Sequence, residues 1–223
     1  MRKPFLLTAA LSRVIATSAD ASVIVGTQVI QRTPRNVRAA RWVNGNGELL
    51  DQVAGATSSE GLAVSADGNV VGGSVVIAGR MDGFIWTQSG GMQLIGTATV
   101  GLSDSSVQDL SANGRIAVGA GIVEGRNHGF YWSKSRGVTL AEDLLTDFGV
   151  SLGGYSIQWI NAVSDDGLTF VGGAISPSGR LEPYIARIPE PASLSMLAIG
   201  VVVIASLSRR KRHFGKRAMN RAE

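Results

Sequence analysis

Short apolar runs recur along most of this chain, each entered through a small polar turn. Aligned on a turn of the form Ser-x-Asp/Asn-Gly followed by an apolar strand that ends in glycine, four copies emerge. They run from Ser18-Ala19-Asp20-Ala21 to Gly26, from Ser65-Ala66-Asp67-Gly68 to Gly72, from Ser111-Ala112-Asn113-Gly114 to Gly119, and from Ser164-Asp165-Asp166-Gly167 to Gly172. The closing glycines therefore recur after 46, 47 and 53 residues. A second signature follows each turn: Ala40-Arg41-Trp42, Phe84-Ile85-Trp86, Phe130-Tyr131-Trp132 and Tyr184-Ile185-Ala186. A near-constant period of this length marks a supersecondary unit that buries its apolar face only by stacking on its neighbours.

Strands can be placed within the second copy. Residues 62–65 read as a strand, Ala66-Asp67-Gly68 as a tight turn in which glycine tolerates positive φ, and residues 70–75 as the hairpin partner. Residues 83–87 and 92–95 form a second hairpin around Gln88-Ser89-Gly90-Gly91. Four short strands are the content of one propeller blade. The predicted fold is all-β, with four propeller-blade-like repeats at about 15–50, 61–95, 107–140 and 160–188, forming a small or incomplete β-propeller. Its signature positions are Asp67, Gly68, Trp86, Asn113, Gly114, Phe130, Trp132, Asp166 and Gly167. The last copy ends at Arg187-Ile188 without a fourth strand, which residues 4–11 are placed to supply.

The pattern changes at Pro189-Glu190-Pro191. An uncharged apolar run, 192–208, follows, and then Arg209-Arg210-Lys211-Arg212. As a helix the run is about 26 Å long, enough for one marginal transmembrane span after the repeats. A basic cluster behind a span is retained in the cytoplasm, which places everything before Pro189 outside. The two prolines hold the junction extended and open to a protease. At the other end, Arg2-Lys3, the apolar residues 5–11 and the small residues Ala19-Asp20-Ala21 read as a weak export signal centred on 1–14. Cleavage there would remove the first turn, so signal and first repeat compete for the same residues. The other reading is a shortened relative of a longer multi-repeat protein.

Pro-Glu-Pro, a single apolar helix and an arginine-rich terminus, in that order over 189–217, resemble the PEP-CTERM sorting signal of bacteria. That resemblance implies recognition and cutting by a membrane protease of the exosortase type, and delivery through the cytoplasmic membrane to the cell surface or extracellular space. The chain departs from the usual pattern in its longer tail, of which 218–223 lie beyond the signal. A simple single-pass membrane anchor is the alternative. The repeats over 15–188 resemble the extracellular HAF repeat, through His128-Gly129-Phe130 and the degenerate Asp82-Gly83-Phe84 and Glu182-Pro183-Tyr184. That second resemblance implies a surface-exposed repeat protein and no catalytic residues.

The formal charge of +4 changes meaning once the tail is set apart. Residues 1–208 hold 14 basic and 16 acidic side chains, a balance of −2. Arg32, Arg35, Arg38 and Arg41 are spaced by three, but Pro34 and strand-like neighbours argue against a phosphate-binding helix, so no nucleic-acid partner is expected. There are no cysteines, which removes disulfides, thiol chemistry and Cys-based metal sites. No enzyme activity is expected. The only histidine before the tail, His128, sits inside a repeat signature, so a Ser-His-Asp triad lacks a dedicated base. Asp165-Asp166, Glu142-Asp143 and Asp109 could in principle pair as glycosidase carboxylates. The first pair lies in a recurrent turn, and Glu142, Asp143 and Asp147 suit the solvated face of a short helix over 140–148. Calcium would suit oxygen-rich turns such as Ser164-Asp165-Asp166-Gly167, yet the spacing is not that of an EF-hand and reads as capped hairpins, so no metal or cofactor is expected. Gly72-Gly73 and Gly153-Gly154 lack the helix that a phosphate-binding loop requires. The function expected is that of an exported structural or interaction protein. The alternative is a carbohydrate-binding or adhesin module engaging extracellular polysaccharide, for which Trp42, Trp86, Trp132 and above all Trp159 would be the stacking platforms.

Overall fold

The computed structural model describes residues 12–31 and 36–189. Four antiparallel sheets follow one another in chain order, each a meander whose strands pair with their sequence neighbours. The first comprises β1 (Ser12–Thr17), β2 (Val23–Gln31), β3 (Asn36–Val43) and β4 (Asn46–Leu49), and the second β5 (Ala56–Val64), β6 (Val70–Ile77), β7 (Arg80–Thr87) and β8 (Gly91–Leu94). The third is β9 (Ser103–Leu110), β10 (Ile116–Val123), β11 (Arg126–Ser133) and β12 (Gly137–Leu140), after which α1 (Ala141–Asp147) leads to the fourth. The fourth has three strands: β13 (Ser156–Val163), β14 (Thr169–Ile175) and β15 (Leu181–Arg187). The first strand of every sheet starts ahead of the repeat limits read from sequence, because the polar residues before each turn also join the ladder. No fourth strand pairs with β15 among the described residues, and residues 4–11 lie outside them.

Sheets stack face to face along the chain, with each first strand packed on the preceding sheet. Between the first two lie Val25, Ala39, Leu50, Val71, Val75, Phe84 and Trp86. Between the second and third lie Ile85, Ile95, Leu102, Val107, Leu110 and Phe130. The aromatic pair of the repeat is thus core, as alternation along β7 and β11 requires: Phe84 and Phe130 are fully buried facing the preceding blade. Among the described residues no interface joins the first and fourth sheets, so the blades form an open array and not a closed ring.

Each inner strand carries a bulge. Ile15, Leu62, Gln108 and Asn161 are the extra residues at the shift all four share in the pairing with β2, β6, β10 and β14, and β5, β9 and β13 each have a second shift nearer their start. The bulge drives the carbonyls of Arg13, Glu60, Ser106 and Trp159 against Gly26, Gly73, Gly119 and Gly172, where a Cβ would overlap the oxygen. This identifies the closing glycine of the second repeat as Gly73, correcting the Gly72 of the sequence alignment. The spacings become 47, 46 and 53, and the side that Gly72 presents is packed instead by Val107 of the next blade.

Two stability tests follow. Gly119→Ala should lose about 3 kcal/mol in chemical denaturation, since backbone must move, whereas Gly125→Ala, at φ 77° with open space around it, should lose about 1 kcal/mol. Ala21 occupies the turn position that is glycine in the other three repeats and is held at φ 57°. Ala21→Gly should therefore stabilise the chain by about 1 kcal/mol in the same assay.

Candidate functional site

The recurrent turns are built from short-range hydrogen bonds. Ser18 Oγ accepts from Val23 N and donates to Asp20 Oδ1, which also accepts from Ser22 N. The second turn repeats this with Ser65, Val70, Asp67 and Asn69, the third with Ser111, Ile116, Asn113 and Arg115, and the fourth with Ser164, Thr169, Asp166 and Leu168. The predicted signature residues Asp67, Asn113 and Asp166 are therefore satisfied inside their own turns. Gly68, Gly114 and Gly167 press against Val23, Val70 and Ile116 of the preceding blade. The turns also join one another: Ala19 N donates to Ala66 O (3.0 Å), Ala66 N to Ala112 O (2.9 Å) and Ala112 N to Asp165 O (3.2 Å). Among the described residues no grouping of three or more His, Asp or Glu could hold a metal ion.

The tryptophans separate into two kinds. Trp42 and Trp86 are core, the latter under the guanidinium of Arg41, whose carbon lies 4.5 Å from the ring centroid; Arg41 also pairs with Glu48. Trp132 is half-buried at the rim of a groove of about 330 Å³ with Val70, Ile85 and Arg115. Trp159 is half-buried on the other side of its sheet, its indole over Gly173.

The carboxylates read from sequence accept hydrogen bonds between blades or lie on the surface. Asp109 accepts from Val163 N (2.8 Å), and burial raises its pKa. Glu142 accepts from Ile157 N (2.7 Å) and lies 3.7 Å from His128 Nδ1. Both tie the third blade to the fourth. Asp147 bonds Arg136 on the surface, and Asp143 lies exposed on the short helix, as its acidic face predicted.

The largest departure from the repeat is at the fourth blade. Where Arg41, Ile85 and Tyr131 are 5%, 9% and 8% exposed beneath the following blade, the matching Ile185 is 74% exposed. Leu181 and Val171 are exposed beside it. On the opposite face Ala186 stands at the register of Trp42, Trp86 and Trp132. A cavity of about 440 Å³ opens there, lined by Leu145, Leu152, Tyr155, Ile157, Tyr184 and Ala186 among others. Tyr184 donates to Trp159 O (3.4 Å) and burial pushes its pKa up, while Tyr155 donates to Glu182 Oε2 at the rim. Sequence reasoning gave Ala186 only as the last residue of the fourth signature; the signal available was an alanine where the other three copies have tryptophan.

The turn carboxylates make a pH prediction. Hydrogen bonds from Ser22 and Ser18 hold Asp20 at about 2, and those from serine and backbone donors also lower Asp67 and Asp166. An unfolded Asp titrates near about 3.9. The stabilising contribution is thus complete above that value and is lost as pH falls through the folded one, between about pH 4 and about pH 2. Asn113 makes the same bonds without titrating. Asp67→Asn should keep the turn and reduce the drop in Tm between about pH 5 and about pH 3. An unchanged drop would remove this carboxylate from the acid response.

Among solved structures, TolB from Acinetobacter baumannii superimposes with a TM-score of 0.54 at 13% identity, over 79% of this chain and 41% of that one. A structure assigned as TolB from Agrobacterium tumefaciens gives 0.53 at 11% identity, over 81% and 69%. The chain thus spans about two-fifths of the length of the former, and the likeness shows the fold alone, which resembles TolB-like β-propellers. No curated protein matches the chain in sequence. Among the described residues no helix is long and apolar enough to cross a membrane, and Glu190, Pro191, the apolar run 192–208 expected to span it and the cluster Arg209, Arg210, Lys211 and Arg212 lie outside them. Residues 187–212, starting at the last residue of β15, match the family of the PEP-CTERM protein-sorting motif, so this chain carries that sorting motif directly behind its fourth blade.

Proposed function

We propose that this chain is an exported, non-enzymatic repeat protein that an exosortase-type protease delivers to the cell surface or extracellular matrix, where its open blade array acts as a structural or interaction module. The carrying observation is the sorting motif at 187–212, which implies exosortase-dependent export through the membrane. In this reading residues 192–208 cross the membrane until the chain is cut near Pro189-Glu190-Pro191, and Arg209, Arg210, Lys211 and Arg212 hold the tail in the cytoplasm. The blades are HAF-type repeats, a reading supported by the place of His128-Gly129-Phe130 on the third strand of its blade. Absence of activity is supported by the satisfied turn carboxylates and by His128 lying beside Glu142 between blades.

Intact mass of the protein from membrane and extracellular fractions of its host tests this. The surface form should end near Pro191 and lack Arg209 to Glu223. Replacing Pro189, Glu190 and Pro191 by alanine should hold the full-length mass in the membrane fraction. Full-length mass for the unaltered chain at the surface would make it a single-pass anchored protein instead.

A further inference from the structure

The groove between the second and third blades opens where two positions of the repeat change together. At the preceding interface Arg41 lies over the Trp86 ring and pairs with Glu48, its partner across the β3–β4 ladder. That stack leaves Trp86 only 4% exposed. In the second blade the same two register positions hold Ile85 and Gln93. Isoleucine is too short to lie over the next indole and carries no charge to pair. Trp132, the register equivalent of Trp86, is therefore only half-buried, and it lines the groove of about 330 Å³. The lip changes as well. Where the second blade has Asn69 and Gln88, the third has Arg115 and Lys134, both exposed and both lining the groove. Neither forms an ion pair with a described residue, and no acidic residue is among those that line the groove.

We propose that this groove binds an acidic saccharide, one carboxylated sugar ring stacking on Trp132 with its carboxylate held by Arg115 and Lys134. A sugar ring offers an apolar C–H face to an aromatic wall and hydroxyls at its edge, where Ser89 and Gln93 are exposed. Two cations with no carboxylate beside them favour an anion, and the guanidinium fork of Arg115 matches a carboxylate in shape. A volume of about 330 Å³ suits one or two rings of a chain. Single-stranded nucleic acid requires instead a longer basic track with successive aromatic platforms. The inference rests on the interaction role proposed above and gives it a ligand class.

The test titrates the full chain, in mild detergent and at low ionic strength, with trigalacturonate and with its methyl ester, read by calorimetry. The acid should bind at least about tenfold tighter than the ester. That difference should disappear when Arg115→Gln and Lys134→Gln are combined, and added salt should erode it in the unaltered chain. Trp132→Ala should weaken both ligands at least about tenfold. Ile85→Arg combined with Gln93→Glu copies the Arg41–Glu48 pair over the indole, and should weaken the acid to the same extent. Arg126→Gln, at the other end of β11, should leave affinity within about twofold. Thermal midpoints check that each variant is folded, and the acid–ester comparison needs no variant. Equal binding of acid and ester, indifference to Trp132→Ala or to the Ile85–Gln93 exchange in a folded variant, or no binding up to about 5 mM would overturn the proposal. A thymidine trinucleotide binding as tightly as the trigalacturonate would also overturn it. None of these outcomes would alter the masses that test delivery.

Discussion

The blade array depends on the bulge in each inner strand and the glycine that faces it. Arg13, Glu60, Ser106 and Trp159 present a carbonyl oxygen where a side chain on Gly26, Gly73, Gly119 or Gly172 would begin. Only a bare backbone accepts that approach, and the extra residue twists the inner strand toward the preceding blade. The turn that follows is thereby brought beside its neighbour, where Ala19, Ala66, Ala112 and Asp165 are linked in series. Without the glycine the strand would straighten, and both the core between blades and the series of turns would lose their geometry.

Stacking, in turn, explains what is buried and what is not. A blade covers one face with its predecessor and the other with its successor, so identical positions have opposite fates at the end of the array. Ile85 is shielded because the third blade follows the second, while Ile185 has no successor among the described residues. The interfaces are also unlike in chemistry. The first two use serine hydroxyls, Ser59 accepting from Ala39 N and Ser105 from Gly83 N, with Asp104 accepting from Met81 N at the exposed rim of the second. The third uses carboxylates, Asp109 and Glu142, accepting from Val163 N and Ile157 N. A charged acceptor forms a stronger bond, which suits an interface that must also seat the α1 connection.

The fourth blade is where repeat and function separate. It keeps the bulge, the facing glycine and the serine-capped turn, and so docks on the third. Among the described residues it has no indole at the Ala186 position, no fourth strand and no cover over Ile185, and its last strand runs directly into the sorting motif.

Much of this was legible in the sequence because it is local. Each Ser-x-Asp/Asn turn closes on itself within five residues, so its spelling determines its shape, and a sorting motif is read as a linear order of residue types. The blade count and the all-β class followed from the period. Choosing between Gly72 and Gly73 did not, because adjacent strand residues face opposite sides and only the pairing across the bulge tells which meets the carbonyl. That the Trp159 indole lies over Gly173 was not legible either, because it depends on the pairing of β13 with β14. Which isoleucine is covered and where a cavity opens depend on groups far apart in sequence that packing brings together. The sequence by itself determined the units and their address, since both are written in contiguous residues; only the tertiary structure decided which glycine meets the bulge and which face of each unit is covered, since these arise from how strands pair and how units pack.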